Sequence, residues 1–205
     1  MTSKIRSAAI KRKTKETDIS GKLLIDGAGK ADIDTGIGFL DHMLTLFAYH
    51  GLFDLDVNVK KQDLDVDIHH TNEDVGIVLG EAFQKALKNK LGIKRFGTAE
   101  VPMDEALAKV IIDISGRGSS NYISVSTQKG RLSKKPEEGY DLNDTQEFLR
   151  AFANNAGITL TYSIESGENL HHSLEAIFKA LGRALREACE IDPRRKGIPS
   201  TKGKL

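Results

Sequence analysis

The sequence predicts an α+β fold of two similar halves from an internal duplication, with helices packed on mainly antiparallel sheets. The main observation is an order of features that occurs twice: helix, glycine, alternating strand, HHxxE motif, helix. The glycines Gly51 and Gly157 lie 106 positions apart, and the HHxxE motifs, which begin at His69 and His171, lie 102 apart. An internal duplication is the simplest explanation when the same features occur twice in the same order and at nearly the same separation.

The periodicity of apolar residues predicts the individual elements. Apolar and polar residues alternate in Leu55–Val59 and Ile158–Tyr162, which predicts two strands. The β-branched stretch Ala108–Ile114 predicts another strand, and Tyr122–Ser126 is predicted to pair with it. Apolar residues at helical spacing predict two helices, Val75–Leu87 and Ala176–Ala188.

The length of the chain suits one domain with a shared core, and we interpret residues 1–205 as a single domain. Its pseudo-repeat halves cover about 1–95 and 96–190. A polar segment that contains glycine and proline, Lys129–Tyr140, is the predicted linker. The C-terminal tail, 191–205, contains two prolines and two glycines and is predicted to be irregular.

Composition argues against several classes of function. The 30 basic and 29 acidic residues nearly cancel, so no overall basic excess points to nucleic acid. No apolar run approaches the roughly 20 residues of a membrane helix, and the basic, polar start lacks a signal-peptide core. We therefore expect a cytoplasmic protein that binds neither nucleic acid nor membranes. The single cysteine, Cys189, excludes an internal disulfide.

Histidines and carboxylates form the strongest chemical pattern. Four of the six histidines fall in the two HHxxE motifs. On a helix, His69 and Glu73 share one face, whereas His70 is rotated by about 100°, so each motif suits two ions. Imidazole and carboxylate ligands without thiolate favour Mn²⁺, Fe²⁺ or Zn²⁺ over Ca²⁺ or Mg²⁺. Asp65 and Asp67 are either hydrogen-bond acceptors behind these histidines or aspartates of a surface strand.

Longer motifs surround these residues. The chain reads DTGIGFLDHML at 34–44, DIHHTNED at 67–74 and HHSLEAIFKA at 171–180. Shorter motifs are RxTxET at 12–17, RFG at 95–97, VPMDEA at 101–106, SGR at 115–117 and PSTKG at 199–203. In this order the motifs resemble those of the imidazoleglycerol-phosphate dehydratase family, and the match runs from about Arg12 to Lys202, nearly the whole chain.

The resemblance implies a lyase of histidine biosynthesis that removes water from imidazole glycerol phosphate to give imidazole acetol phosphate. It also implies two Mn²⁺ ions per subunit and a homo-oligomer of about 24 subunits with shared sites. The ring of the substrate, held as a metal-bound imidazolate, would take up negative charge while a carbon loses its proton. By the resemblance, one ion is bound by His42, His70, His171 and Glu175, and the other by His69, Glu73 and His172.

The resemblance further implies residues for proton transfer and for substrate binding. Glu16 is the first candidate for proton transfer, and Glu175 belongs to the catalytic set as a ligand. Arg117 lies between two glycines, which let the backbone approach an anion closely. A guanidinium fork suits phosphate oxygens. The residues expected to bind the substrate or its phosphate are Glu16, Arg95, Arg117, Lys179, Ser200 and Lys202.

The chain departs from the family at one ligand position. The family has histidine in a Thr-Leu-His pattern of the second-half strand, where this chain reads Thr159-Leu160-Thr161. Threonine is a poor ligand, so the second ion keeps three protein ligands unless His50, which precedes Gly51, substitutes. Two alternative functions stay open: a dinuclear metal hydrolase of phosphate esters, and a non-catalytic metal-binding protein. The histidine-rich, carboxylate-poor ligand set argues against the hydrolase.

Overall fold

The computed structural model describes residues 5–62, 68–125, 132–133 and 135–205, and within these ranges the chain forms eight strands and four helices. The first half contains β1 (Ser7–Lys13), β2 (Asp18–Leu24), β3 (Ala31–Asp34), α1 (Gly38–Gly51), β4 (Asp54–Lys61) and α2 (His69–Leu87). The second half contains β5 (Phe96–Met103), β6 (Ala106–Asp113), β7 (Ser119–Ile123), α3 (Leu142–Ala156), β8 (Thr159–Ser166) and α4 (Leu170–Cys189).

Each half forms one four-stranded sheet. The strand order is β1-β2-β4-β3 in the first half and β5-β6-β8-β7 in the second. In both sheets the first three strands pair antiparallel, and the last pair is parallel. Because strand order and strand direction are the same in the two sheets, the prediction of two similar α+β halves with mainly antiparallel sheets is confirmed.

One predicted strand pairing is wrong. The segment Tyr122–Ser126 was expected beside Ala108–Ile114, but β7 pairs in parallel with β8, and β6 lies between β5 and β8. The reason is the connection: α3 joins β7 to β8, and a strand–helix–strand unit places its two strands side by side in parallel. Ser126 itself lies outside the described residues.

Helices from opposite halves pack against each other. α1 packs on α4 and α2 packs on α3, and one hydrophobic cluster runs through both halves. A Cβ on Gly182 of α4 would lie 2.4 Å from the carbonyl oxygen of Phe47 in α1, and a Cβ on Gly80 of α2 would lie 2.5 Å from that of Phe152 in α3. No side chain fits at such distances, so these two glycines allow the helix backbones to approach.

The remaining predicted elements agree with the described ranges. The predicted helices fall inside α2 and α4, and the other predicted strands overlap β4, β6 and β8. The tail after α4 consists of turns and bends. Part of the predicted linker lies outside the described residues; its described end, Glu137–Tyr140, is a tight turn. None of the helices in the described ranges is long and apolar enough to cross a membrane.

Candidate functional site

The N-terminal ends of α1 and α4 bring three predicted ligands together. Nε2 of His42 lies 3.0 Å from Oε1 of Glu175, and Nε2 of His171 lies 3.1 Å from the same oxygen. His171 and Glu175 meet because they are four residues apart on one helix face, as the spacing predicted. The start of α1 is fixed by the side chain of Asp41, which accepts hydrogen bonds from the backbone and hydroxyl of Thr35.

Glu175 is a mostly buried carboxylate surrounded by donors. Its side chain is only 10% exposed, and its second oxygen, Oε2, lies 2.5 Å from Nζ of Lys179. Burial alone would raise the pKa of Glu175, but hydrogen bonds from Lys179 and His42 outweigh burial and lower that pKa to about 2. Glu175 is therefore ionised at neutral pH and can act as an anionic ligand.

The donor set of this group fits a divalent transition-metal ion. The ligand atoms of His42, His171 and Glu175 all lie within 4.8 Å of one another. Two imidazoles and one carboxylate on neighbouring helix ends match a facial triad, which leaves coordination positions for substrate or further ligands. Within the described ranges, this is the one group of at least three histidine, cysteine or acidic residues with such spacing.

His172 turns away from this group toward the hairpin between β5 and β6. Its Nδ1 lies 2.7 Å from Oε2 of Glu105, and its Nε2 lies 3.7 Å from Asp104. Glu105 also accepts a hydrogen bond from the backbone of Asn169, the N-cap residue of α4. The bond from His172 lowers the pKa of Glu105 to about 2 and raises the pKa of His172. Glu105 thus orients the ring through Nδ1, while Nε2 faces Asp104.

Glu105 was not among the residues predicted from the sequence to act at the site. A signal existed, because Asp104 and Glu105 stand in one of the motifs that carry the family resemblance. The expected acceptors, Asp65 and Asp67, lie outside the described residues. We name His42, His171, His172 and Glu175 the α1/α4 half-site.

The first HHxxE motif opens α2 and forms a second group. Nε2 of His69 lies 3.9 Å from Glu73, and Nδ1 of His70 lies 4.0 Å from Oε2 of Glu16. The turn that carries Glu16 joins β1 to β2 and is tied to α2 through Asp74. Asp74 accepts hydrogen bonds from the side chains of Arg12 and Thr17. We name His69, His70, Glu73 and Glu16 the α2 half-site.

A single chain does not gather all seven expected ligands. His70, expected beside His42, is not part of the described three-ligand group, and His69, Glu73 and His172 form no such group of their own in the described part of the chain. The structure therefore presents two partial ligand sets, one at the N-terminal ends of α1 and α4 and one at the N-terminal end of α2.

The Thr161 position lies on the outer face of the second sheet. Its neighbours along β8, Leu160 and Tyr162, are buried in the core, whereas Thr161 pairs across the sheet with Ile111, which is 41% exposed. Side chains alternate along a strand, so any residue at position 161 points away from the core.

His50 stands in the last turn of α1. It follows His42 by eight residues, which places it about 12 Å farther along the helix axis. Burial, together with the charges of Lys179 and Arg183, lowers the pKa of His50. The neutral ring that results is able to bind a metal, but no described ligand group includes it.

Arg95, an expected phosphate ligand, is engaged within the chain. Its guanidinium binds Asp113 through two hydrogen bonds of 2.6 and 3.0 Å, and it donates a third, of 2.9 Å, to the carbonyl of Pro199. Arg95 and Asp113 come together because Phe96 pairs with Asp113 across β5 and β6. In this arrangement Arg95 attaches the C-terminal tail next to Ser200.

We expect Arg95→Ala to lower the free energy of unfolding by about 1 to 2 kcal/mol, because it removes charged hydrogen bonds to Asp113 and to the tail. Limited proteolysis should then cut residues 191–205 faster. Arg194→Ala is the control, since this tail arginine is 89% exposed and pairs with the nearby Asp192. Equal proteolysis of the two variants would contradict the attachment.

The other expected anion ligands occupy three places. Lys179 binds Glu175 and also approaches the sulfur of Met103. Arg117 is exposed in the loop between β6 and β7, where its backbone bonds the Ser115 hydroxyl. Ser200 accepts a hydrogen bond from the backbone of Lys202 in a turn of the tail. Lys179 is thus at the α1/α4 half-site. Ser200 and Lys202 come just after Pro199, whose carbonyl accepts the hydrogen bond from Arg95.

Comparison with known proteins gives one family. The family model described as imidazoleglycerol-phosphate dehydratase matches residues 35–185. A curated imidazoleglycerol-phosphate dehydratase from Thermoanaerobacter sp. is 59% identical over 201 residues, covering 98% of this chain and 100% of that protein. One from Methanocella arvoryzae is 55% identical, with the same coverage of both chains.

Solved structures agree with this result. The imidazoleglycerol-phosphate dehydratase of Staphylococcus aureus matches with a TM-score of 0.78 and 36% identity, covering 91% of this chain and 99% of that one. The enzyme from Pyrococcus furiosus matches with a TM-score of 0.78 and 39% identity, covering 95% and 99%. The chain belongs to the imidazoleglycerol-phosphate dehydratase family and is a lyase of histidine biosynthesis.

Proposed function

We propose that this chain dehydrates imidazole glycerol phosphate to imidazole acetol phosphate at a site that binds two Mn²⁺ ions per subunit. The observation that carries the proposal is the convergence of His42 and His171 on one oxygen of the ionised Glu175. A buried anion between two imidazole nitrogens is a site for a divalent cation. The family membership supports the substrate and the reaction.

We propose further that each complete site forms between two copies of the chain. The α1/α4 half-site of one copy would meet the α2 half-site of another. His70 of the second copy then completes the ligand set of His42, His171 and Glu175, while His69 and Glu73 join His172 of the first copy. This arrangement uses the approximate 100° rotation between adjacent histidines on a helix, which directs them to different ions.

Bound metal would supply Lewis acidity that stabilises negative charge on the imidazole ring of the substrate. The protein would supply the proton transfers and the orientation. Glu16 would accept the proton from carbon, because it stands beside His70 on a turn that Asp74 holds. The hydroxyl on the neighbouring carbon then leaves with a proton as water, and the electron pair of the broken C–H bond forms a carbon–carbon double bond. The resulting enol takes a proton on carbon and loses its hydroxyl proton to give the ketone.

The phosphate would be held by cations that converge from the tail and from α4. Lys179 already lies against Glu175, so a phosphate bound to Lys179 would sit next to the ligand group. Ser200 and Lys202 offer a hydroxyl and an ammonium from a turn that Arg95 fixes through the Pro199 carbonyl. Arg117, exposed between its two glycines, would add a guanidinium.

The first experiment is a turnover assay on metal-stripped protein with imidazole glycerol phosphate and added Mn²⁺. We expect activity to return with the metal and to saturate at two bound ions per chain. One ion per chain with weak activity would identify Thr161 as a defect of the second site. Release of inorganic phosphate instead of dehydration would favour the hydrolase, and tight metal binding without turnover would favour a non-catalytic metal-binding protein.

The shared site is tested by mixing two inactive variants. His171→Ala damages only the α1/α4 half-site, and His70→Ala damages only the α2 half-site. Assemblies that contain both variants in equal amounts should recover about a quarter of wild-type activity, because each site takes its two halves at random. If all ligands of a site came from one chain, the mixture would remain as inactive as either variant alone.

We also propose that the chain assembles into a homo-oligomer of about 24 subunits and works in the cytoplasm. The partial ligand sets support assembly, since among the described residues neither half-site contains all the ligands expected for either ion. Light scattering after size-exclusion chromatography measures the subunit number. A monomer that retains full activity would contradict both the assembly and the shared site.

A further inference from the structure

Tyr140 is a buried polar residue that the proposed reaction does not use. Its side chain is fully buried, and its hydroxyl donates a hydrogen bond of 2.9 Å to Oδ1 of Asn72. Asn72 is also fully buried, and its amide nitrogen donates a bond of 2.8 Å to the backbone carbonyl of Asp144. Asn72 stands between His70 and Glu73, so this hydrogen-bonded chain begins inside the first HHxxE motif.

The ring of Tyr140 reaches the other half-site. It stacks on Phe39 with ring centroids 5.3 Å apart and planes inclined by 28°. Phe39 in turn meets the ring of His171 edge-on at 5.2 Å. Phe39 precedes His42 by three residues in the first turn of α1. Tyr140 therefore contacts, directly or through one ring, the helix ends that carry both half-sites.

The backbone around Tyr140 is held on both sides. Glu137 and Tyr140 exchange two backbone hydrogen bonds of 2.9 Å, and Glu138 and Gly139 between them have φ of 53° and 81°. These are the features of a two-residue type I′ turn. The next residue, Asp141, caps α3 through its side chain. The position of the Tyr140 hydroxyl is thus fixed by a turn and a helix cap.

The duplication shows that this polar contact is not a requirement of packing. The residue of the second HHxxE motif that corresponds to Asn72 is Leu174, which is fully buried. An apolar residue therefore fits this place in the fold. A buried hydrogen-bonded pair stabilises a fold little more than apolar residues of similar volume, but it fixes the geometry of its two partners.

We infer that Tyr140 and Asn72 are positioning residues that fix the first turn of α2, with its ligands, relative to the His42–His171–Glu175 group. The inference rests on the proposed metal site for its catalytic meaning. In the proposed assembly, the two half-sites of one chain belong to two different complete sites. The relative position of the two half-sites within the chain therefore decides whether each of them fits the half-site of the adjoining chain. Tyr140 contacts Asn72 at the start of α2 and Phe39 at the start of α1.

The first test measures position without metal. Hydrogen exchange of the peptide that covers residues 68–76 is followed in metal-free wild type and in Tyr140→Phe. We expect several-fold faster exchange in the variant, because the first turn of α2 loses its fixed partner. Tyr162→Phe is the matched control: Tyr162 is 2% exposed, and its ring packs on Tyr122 in the second sheet. Unchanged exchange in Tyr140→Phe, or equal acceleration in both variants, would overturn the inference.

The second test measures the affinity for Mn²⁺ by titration calorimetry. We expect about ten-fold weaker binding in Tyr140→Phe and in Asn72→Leu, with wild-type affinity in Tyr162→Phe. The double variant should bind no more weakly than either single variant, since both remove the same contact. Equal affinity in wild type and Tyr140→Phe would overturn the inference. A wild type that binds no Mn²⁺ would reject the proposed metal site, and the hydrogen exchange result would still decide the positioning role.

Discussion

Replacing Glu175 with glutamine should abolish binding of the ion expected at His42, His171 and Glu175 and sharply reduce turnover. The change keeps the size of the side chain but removes the charge on which His42 and His171 converge. It also leaves the ammonium of Lys179, 2.5 Å away, without its anion and next to the metal position. Loss of several kcal/mol of charge stabilisation lowers turnover by roughly three orders of magnitude. Bound Mn²⁺ per chain and turnover measure the two effects.

The control for this change is Glu190→Gln, directly after the end of α4. Glu190 also pairs with a lysine, Lys94, at 2.6 Å, but both side chains are more than 40% exposed. Exposed pairs contribute little, so this variant should keep its metal and its activity. If Glu175→Gln still bound two ions with normal affinity, the ligand group described here would not be the metal centre.

Replacing Gly182 with alanine should lower the stability of the fold by forcing two packed helices apart. The added Cβ would lie 2.4 Å from the Phe47 carbonyl oxygen and 2.9 Å from the Gly51 nitrogen, both backbone atoms of α1. Backbone cannot rotate away as a side chain can, so α1 and α4 must separate. Overpacking of this kind costs about 1 to 3 kcal/mol, against a gain of about 1 kcal/mol from alanine in a helix, so we expect a net loss of up to about 2 kcal/mol. The melting temperature measures the net loss.

Gly197→Ala is the matched control, because no atom lies within 4 Å of the Cβ it would add. Its melting temperature should stay at the wild-type value. We also expect Gly182→Ala to weaken Mn²⁺ binding, since α1 carries His42 and α4 carries His171 and Glu175. A variant as stable as wild type would mean that the two helices are farther apart than the structure places them.

The sequence was sufficient to predict the features that depend on short spacing. The pairing of His171 with Glu175 follows from four residues on one helix, and the two halves follow from the repeated order of motifs. Neither needs knowledge of distant contacts. The helices beside the HHxxE motifs were predicted for the same reason, because apolar residues recur at helical spacing.

Contacts between distant segments were not predictable in this way. Glu105 reaches His172 only because a hairpin ends beside the N-cap of α4. Arg95 was predicted from the sequence to bind phosphate. Its partner Asp113 becomes evident only from the register of β5 with β6, which places Asp113 opposite Phe96, the residue after Arg95. The wrong partner for β7 has the same origin, since periodicity identifies a strand but does not identify its neighbours.

The two packing glycines have a further consequence for the site. Gly80 follows Glu73 by seven residues, and Gly182 follows Glu175 by seven residues. Each helix thus packs closely on its neighbour at a point two helical turns, or about 10 Å, from its ligand carboxylate. Because the spacing is seven residues in both halves, the ligand carboxylates of α2 and α4 lie at the same distance along the helix from the glycine contact. A change of that length by one residue would rotate the carboxylate by about 100° away from its metal.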